Sequence, residues 1–169
     1  MRAWIYPAIG LASFWLELTA IPYLSIFGIK PNLFLLTVLV LGLRWMSPWL
    51  FVYGVAVGIA LDVFSHGMLG VYGISFFIIS FLAIYVGSAI YENTLWFTMV
   101  SVAGLTLAEG LISISIFEIL DSTAPWWQWL SQRVLPAAIY HAVLAPFLAW
   151  GLIWLERLLK FTESVRPRP

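Results

Sequence analysis

The sequence predicts an all-α integral membrane protein, with about six transmembrane helices packed in one bundle. Of the 169 residues, 63% are hydrophobic and only 9% are charged, and the mean hydropathy is +0.99. Soluble domains carry about a quarter charged residues, so this chain has too few charges to give itself a wettable surface. Its apolar residues also fall into segments separated by short turns, which is typical of a helical membrane domain.

The composition excludes several classes of function. The chain contains no cysteine, which rules out disulfides and thiolate-metal sites. Its formal net charge is zero, which argues against a broad basic surface for nucleic acid. We therefore expect no nucleic-acid partner. The composition instead indicates that the chain is embedded in a lipid bilayer.

The apolar segments define the domain organisation. We expect residues 1–157 to form one six-span transmembrane domain and residues 158–169 a short cytoplasmic tail. The N-terminus lacks a basic cluster and a small-residue cleavage site, so it is interpreted as a retained first span. The six segments cover approximately residues 3–22, 31–46, 48–65, 70–90, 94–119 and 134–156.

The second segment is short for a membrane span. From Pro31 to Met46 it extends only ~24 Å as a helix, against ~30 Å for the hydrocarbon core. Three explanations are open: a locally thin membrane, cover by neighbouring helices, or an extension by the stretch Tyr23–Ile29 from outside.

Basic residues orient the predicted bundle. With six spans, both termini and the second and fourth connections share one side. More basic residues on that side place both termini in the cytoplasm. The first side holds Arg2, Arg44, Arg157, Lys160, Arg166 and Arg168, and the other holds Lys30 and Arg133.

A tryptophan-rich stretch precedes the last segment. Trp126, Trp127 and Trp129 stand among polar residues after Pro125. Tryptophan rings settle at the headgroup level of a bilayer, so we expect a short interfacial helix on the outer surface. An aromatic belt explains these residues better than a platform for ligand stacking.

Gly54, Gly58 and Asp62 recur every four residues in the third segment and form what we call the glycine seam. On a helix they share one stripe that drifts by ~40° per step. Glycines allow a neighbouring backbone to approach closely, and a carboxylate in lipid must face protein or a wet cavity. The seam is predicted to face either another span or a partner.

Four ionisable residues are predicted to share one depth in the outer half of the bundle. Glu17, Asp62 and Glu109 each lie ~14 residues, or ~21 Å, from the start of an outward-running segment. His141 lies ~7 residues into the last segment, which runs inward. One hypothesis is a common polar cluster; the alternative, favoured for Glu17 and His141, is that each bonds a backbone carbonyl or hydroxyl within the bundle. For Asp62 a functional or partner-contacting role is favoured.

Catalytic and metal motifs are missing from the sequence. Asp62 and His66 have the spacing of metal ligands on a helix, but no third ligand stands nearby. Neither a nucleophile elbow nor a phosphate-binding loop is visible. We expect a protein that is not an enzyme and that uses no cofactor or metal.

Residues 30–90 carry a family resemblance. The stretches KPNLFLLTVLVLGL and GVAVGIALDVFSHGMLGVYG resemble the second and third spans of the bacterial rod-shape-determining MreD family. The chain length, the six-span layout and the short basic tail also fit, whereas the first, fifth and sixth segments carry no matching motif. The matching residues are Pro31, Asn32 and Leu33, followed by Gly54, Gly58, Asp62, Leu69 and Gly70.

The resemblance implies a non-enzymatic subunit of the cell-elongation machinery in the bacterial inner membrane. MreD-like proteins pair with MreC, which has a single span and a large periplasmic domain. Together they help to control peptidoglycan synthesis by a RodA-type polymerase and a class-B penicillin-binding protein, in an assembly that follows MreB filaments. In fold, the family also resembles the substrate-binding subunits of energy-coupling-factor vitamin transporters.

Two main hypotheses follow from the resemblance. In the first, the chain is a scaffold whose glycine seam and polar outer half hold the span of MreC, so that Gly58→Leu detaches the partner without unfolding. In the second, it is a vitamin-binding transporter subunit, with Asp62, Glu109 and tryptophans lining a pocket. A proton-linked transporter is less favoured because the two halves show no symmetry.

Overall fold

The computed structural model describes residues 5–19, 30–65, 70–89, 94–120 and 125–158, and the regular structure within these ranges is entirely helical. The helices coincide closely with the predicted apolar segments. In chain order they are α1 (Ile5–Thr19), α2 (Leu33–Trp45), α3 (Trp49–Ser65), α4 (Val71–Ala89), α5 (Leu95–Leu120), α6 (Trp126–Trp129), a π-helical turn (Leu130–Val134) and α7 (Leu135–Leu158).

Local backbone signals define the ends of α2 and the start of α4. The side chain of Asn32 accepts a hydrogen bond from the Leu35 N–H and so caps α2. Met46 ends the same helix in the left-handed conformation, at φ 45°. Gly70 precedes α4 with φ 99°, a conformation that glycine adopts without steric cost.

α2 is the central helix of the bundle. It packs against α1, α3, α4, α5 and α7, and every residue from Phe34 to Leu43 is buried. At 13 residues it is ~20 Å long, too short to cross the hydrocarbon core on its own. Cover by neighbouring helices is thus the explanation that the structure supports, because the other helices surround α2. The stretch Tyr23–Ile29 lies outside the described residues.

The surrounding helices form consecutive packed pairs: α1 with α3, α3 with α4, α4 with α5, and α5 with α7. Their outward faces carry large apolar side chains. On α4, for example, Ile74, Phe77 and Phe81 are each at least half exposed. Such a surface suits contact with lipid and would be unusual in water.

Three helical stretches are long and apolar enough to cross a membrane: Val71–Ala89, Leu95–Ile119 and Trp126–Trp154. The helices Leu33–Trp45 and Trp49–Phe64 are apolar but shorter. The third long stretch includes the tryptophans that were expected to form a separate interfacial helix. No non-helical residue separates α6 from α7, so these tryptophans begin the last helix and are joined to it through the π turn.

Candidate functional site

The carboxylate of Asp62 caps the start of α4. Its Oδ2 accepts hydrogen bonds from the backbone N–H groups of Gly70, at 2.9 Å, and Gly73, at 3.2 Å. Its Oδ1 accepts a third from the N–H of Tyr72, at 3.0 Å. The first N–H groups of a helix lack partners within the helix, and the helix dipole favours a negative charge there. Asp62 is 1% exposed, so this cap is an internal contact of the bundle.

The glycine seam faces α4. A Cβ added at Gly58 would meet the backbone of α4, with the carbonyl carbon of Tyr72 at 2.7 Å and the Cα of Gly73 at 2.8 Å. At Gly54 it would meet the side chain of Ser80 and the Phe76 carbonyl oxygen, the latter at 3.0 Å. The two glycines therefore allow α3 and α4 to pack closely.

This packing corrects the docking hypothesis made from the sequence. The open choice between another span and a partner is decided in favour of another span, because α4 covers Gly54, Gly58 and Asp62. A partner span has no access to the seam in this arrangement. The expectation that Gly58→Leu detaches a partner without unfolding does not agree with this packing, because the added side chain would enter the α3–α4 contact.

A second capping site holds the start of α2. The N–H of Leu33 donates to Oε2 of Glu17 on α1, at 2.9 Å. The N–H of Asn32 donates to Nε2 of His141 on α7, also at 2.9 Å. Two adjacent backbone groups are thus held by side chains from two different helices, and Pro31, which contributes no N–H, is buried just before them.

The contacts of His141 define its tautomer. A backbone N–H can only donate, so Nε2 of His141 accepts and carries no hydrogen. Nδ1 lies 3.2 Å from Oγ1 of Thr106 on α5, and it carries the hydrogen of a neutral imidazole that donates to this hydroxyl. The side chain is 1% exposed and joins α2, α5 and α7.

Glu109 on α5 belongs to a short chain of oxygen contacts that reaches α4. Its Oε1 lies 2.7 Å from the hydroxyl of Ser113. That hydroxyl lies 3.1 Å from the hydroxyl of Ser75, which donates to the carbonyl oxygen of Val71 at 2.8 Å. Glu109 is therefore linked through Ser113 and Ser75 to Val71 in the first turn of α4, the same turn that Asp62 caps.

The four predicted ionisable residues are thus gathered at two helix starts. Glu17 and His141 hold the start of α2, Asp62 caps the start of α4, and Glu109 is linked to that start through Ser113 and Ser75. All four use partners within the bundle: Glu109 and His141 contact hydroxyls, one of the two partner types expected, and the backbone partners of the other contacts are N–H groups instead of carbonyls. Leu69 lies outside the described residues.

The sequence analysis allowed for hydroxyl partners but did not identify which serines and threonines supply them. Ser113 follows Glu109 by one helical turn, so its spacing was a usable signal. Thr106 and Ser75 approach through tertiary packing, and no local pattern identifies them. A further hydroxyl contact joins Tyr53 of α3 to Thr37 of α2, at 3.1 Å between the two oxygens.

The chemistry of these groups is structural in the part of the chain that the structure covers. The polar atoms described above satisfy backbone groups and hydroxyls of neighbouring helices, and such buried bonds specify one packing arrangement. Among the described residues, no group of three or more His, Asp or Glu could hold a metal ion.

Comparison with known proteins gives no further assignment. No family model matches the chain, and neither a curated protein nor a solved structure matches it.

Proposed function

We propose that the chain is a multi-pass, non-enzymatic subunit of the bacterial elongation machinery (the elongasome) that binds an MreC-like single-span protein. One observation carries this proposal: described residues of the MreD-like motif cap two helix starts and line the α3–α4 contact. Asn32 caps α2, Asp62 caps α4, and Gly58 packs against α4 beside that cap. Motif residues thus have defined structural roles, which supports a family resemblance over a chance match.

The packing supports six spans with both termini in the cytoplasm. The acid near the end of α1 meets the start of α2, and the acid near the end of α3 meets the start of α4. The end of α1 therefore lies beside the start of α2, and the end of α3 lies beside the start of α4. We expect the two remaining long helical stretches, Leu95–Ile119 and Trp126–Trp154, to continue the alternation, and the distribution of basic residues favours the outer side for both junctions.

A scaffold role agrees with the use of the polar side chains. In the scaffold, an MreC span would pack on an outward apolar face, since α4 occupies the seam. Membrane helices associate through van der Waals packing and a few hydrogen bonds of ~0.6–2 kcal/mol each. Through MreC, the chain would influence a RodA-type polymerase and its class-B penicillin-binding protein, and indirectly MreB filaments.

The vitamin-binding alternative receives less support from the site. Such a carrier needs polar groups that point into a cavity. Asp62, which that hypothesis assigned to the pocket, instead accepts three backbone hydrogen bonds. Glu109 contacts a serine of its own helix, which is bonded in turn to α4.

Photo-crosslinking in cells tests the proposed partner. A photoreactive amino acid is placed at exposed positions on three helices, Phe77 of α4, Val100 of α5 and Trp150 of α7, with the co-expressed MreC-like protein carrying an affinity tag. We expect crosslinks from at least one helix face. Val38 of α2 is 0% exposed and is the matched buried control, from which no crosslink should form.

Absence of crosslinks from every outward face, together with failure to co-purify, would refute the MreC proposal. In that case the same purified protein is analysed by mass spectrometry for a retained small molecule. A vitamin present at one per chain would support the carrier function instead.

A further inference from the structure

The oxygen atoms around Glu109 form three close pairs, but the serine hydroxyls among them carry only two hydrogens. Three oxygen pairs lie in sequence: Glu109 Oε1 to Ser113 Oγ at 2.7 Å, Ser113 Oγ to Ser75 Oγ at 3.1 Å, and Ser75 Oγ to Val71 O at 2.8 Å. The two shorter distances are typical of an O–H···O hydrogen bond, and the Ser113–Ser75 distance of 3.1 Å is that of a long one; each hydrogen-bonded pair needs one hydrogen. The two serines supply two, because a hydroxyl carries a single hydrogen.

The third hydrogen has one possible source within the sequence of contacts. The carbonyl oxygen of Val71 has none, and a carboxylate has none. A protonated carboxyl group carries one O–H, which it donates. If Glu109 is ionised, the single hydrogen of Ser113 points to the carboxylate. The Ser113–Ser75 contact then has no hydrogen between its two oxygens. Ser75 can supply one only by breaking its own hydrogen bond to the Val71 carbonyl. Both serines are buried, so water does not compensate readily.

We propose that Glu109 is a neutral carboxylic acid in the folded protein and that its proton completes a hydrogen-bonded link from α5 to α4. The acid donates to Ser113, Ser113 donates to Ser75, and Ser75 donates to the Val71 carbonyl. No bond other than hydrogen bonds forms or breaks. The link depends on the proton, because ionisation of Glu109 leaves one of the three contacts unbonded. This inference is independent of the partner proposed above.

The charged groups around Glu109 are of both signs. Tyr72 of α4 interacts electrostatically with Glu109, Arg133 and Asp62, which places two carboxyl groups and one guanidinium near one ring. His141 of α7 is the neutral tautomer and offers no positive charge. In the π turn, the Arg133 guanidinium lies over the ring of Trp129, 4.7 Å from its centroid, and among the described residues no ion pair joins it to Glu109. The described part of α2 carries Arg44 in its last turn, at the opposite end from Asn32.

Infrared difference spectroscopy of the full-length protein at pH 7 tests the proposal. The spectrum of Glu109→Gln is subtracted from that of the unmodified protein. We expect loss of a protonated-carboxyl C=O band equivalent to one group per chain, and this band should shift to lower frequency in D₂O. Loss of carboxylate bands instead would overturn the proposal. Glu118→Gln is the matched control, since it removes an exposed carboxyl from the same helix.

A second variant keeps the test decisive if Glu109→Gln does not fold. Ser113→Ala removes the group that accepts the proposed O–H and leaves Glu109 in place. We expect its difference spectrum to show a shifted protonated C=O band. A difference confined to carboxylate bands would contradict the proposal.

Discussion

The backbone N–H of Asn32 donates a hydrogen bond to Nε2 of His141 across 2.9 Å, although 109 positions separate the two residues in the chain. The next N–H along the backbone, that of Leu33, is held by Glu17. These two bonds attach the central helix to both α1 and α7. In the first of these bonds, His141 accepts a hydrogen bond from the backbone at the start of α2.

The first prediction concerns the protonation state of His141. Because Nε2 accepts from a backbone N–H, we expect a neutral ring with its hydrogen on Nδ1 at pH 7. Nitrogen NMR of protein labelled at histidine distinguishes the two tautomers and the charged ring. The sequence contains two histidines, so His66→Gln assigns the signals. A hydrogen on Nε2 of His141 would show that the bond to Asn32 does not form.

The second prediction concerns the glycine seam. Gly58→Ala places a methyl group against the backbone of Tyr72 and Gly73, which cannot move aside as a flexible side chain would. We expect the apparent free energy of unfolding in detergent to fall by about 1–3 kcal/mol, the usual cost of overpacking.

Gly104→Ala is the matched control for this change. Gly104 lies in α5 and nothing comes within 4 Å of an added Cβ. Alanine stabilises a helix by up to about 1 kcal/mol relative to glycine, so the control should be neutral or stabilising. Equal melting temperatures for the two variants would contradict the close α3–α4 contact.

The third prediction concerns the Asp62 cap. Asp62→Ala leaves three N–H groups at the start of α4 without their acceptor, and we expect a loss of about 1–3 kcal/mol in the free energy of unfolding. Asp62→Asn keeps one acceptor oxygen, so its free energy of unfolding should lie between those of Asp62→Ala and the unmodified protein. Thermal unfolding in one detergent measures both. An alanine variant as stable as the unmodified protein would rule out a stabilising cap.

The fourth prediction concerns the hydroxyl contact between α2 and α3. Tyr53→Phe removes the oxygen that meets Thr37 and keeps the ring, so we expect a destabilisation of about 0.5–1.5 kcal/mol. Tyr85→Phe is the control, because the Tyr85 side chain is 63% exposed on α4. A larger effect at Tyr85 than at Tyr53 would contradict the assigned contact.

Local patterns predicted much of the fold. The segments expected at residues 70–90 and 94–119 correspond to Val71–Ala89 and Leu95–Leu120. They were visible because a helix that meets lipid must be apolar over its own length, which is a property of neighbouring residues. For the same reason Asp62 stood out, since a charge in such a segment needs a partner.

The tertiary structure determines which helix packs against the glycine seam. The spacing of Gly54, Gly58 and Asp62 predicted a close approach on one face of α3 but carried no information on which chain approaches. The answer is α4, the next helix along, because its first N–H groups need an acceptor where Asp62 ends the seam.

By itself, the sequence determined the class of protein, the apolar segments and the side chains that need internal partners, because hydropathy and helical spacing are local quantities. Only the tertiary structure decided that the shortest segment, Leu33–Trp45, is the centre of the bundle, and that Ser113 meets Ser75 across 38 positions of the chain. The physical reason is that helix rotation and neighbour choice depend on the packing of all helices at once, and no single segment encodes them.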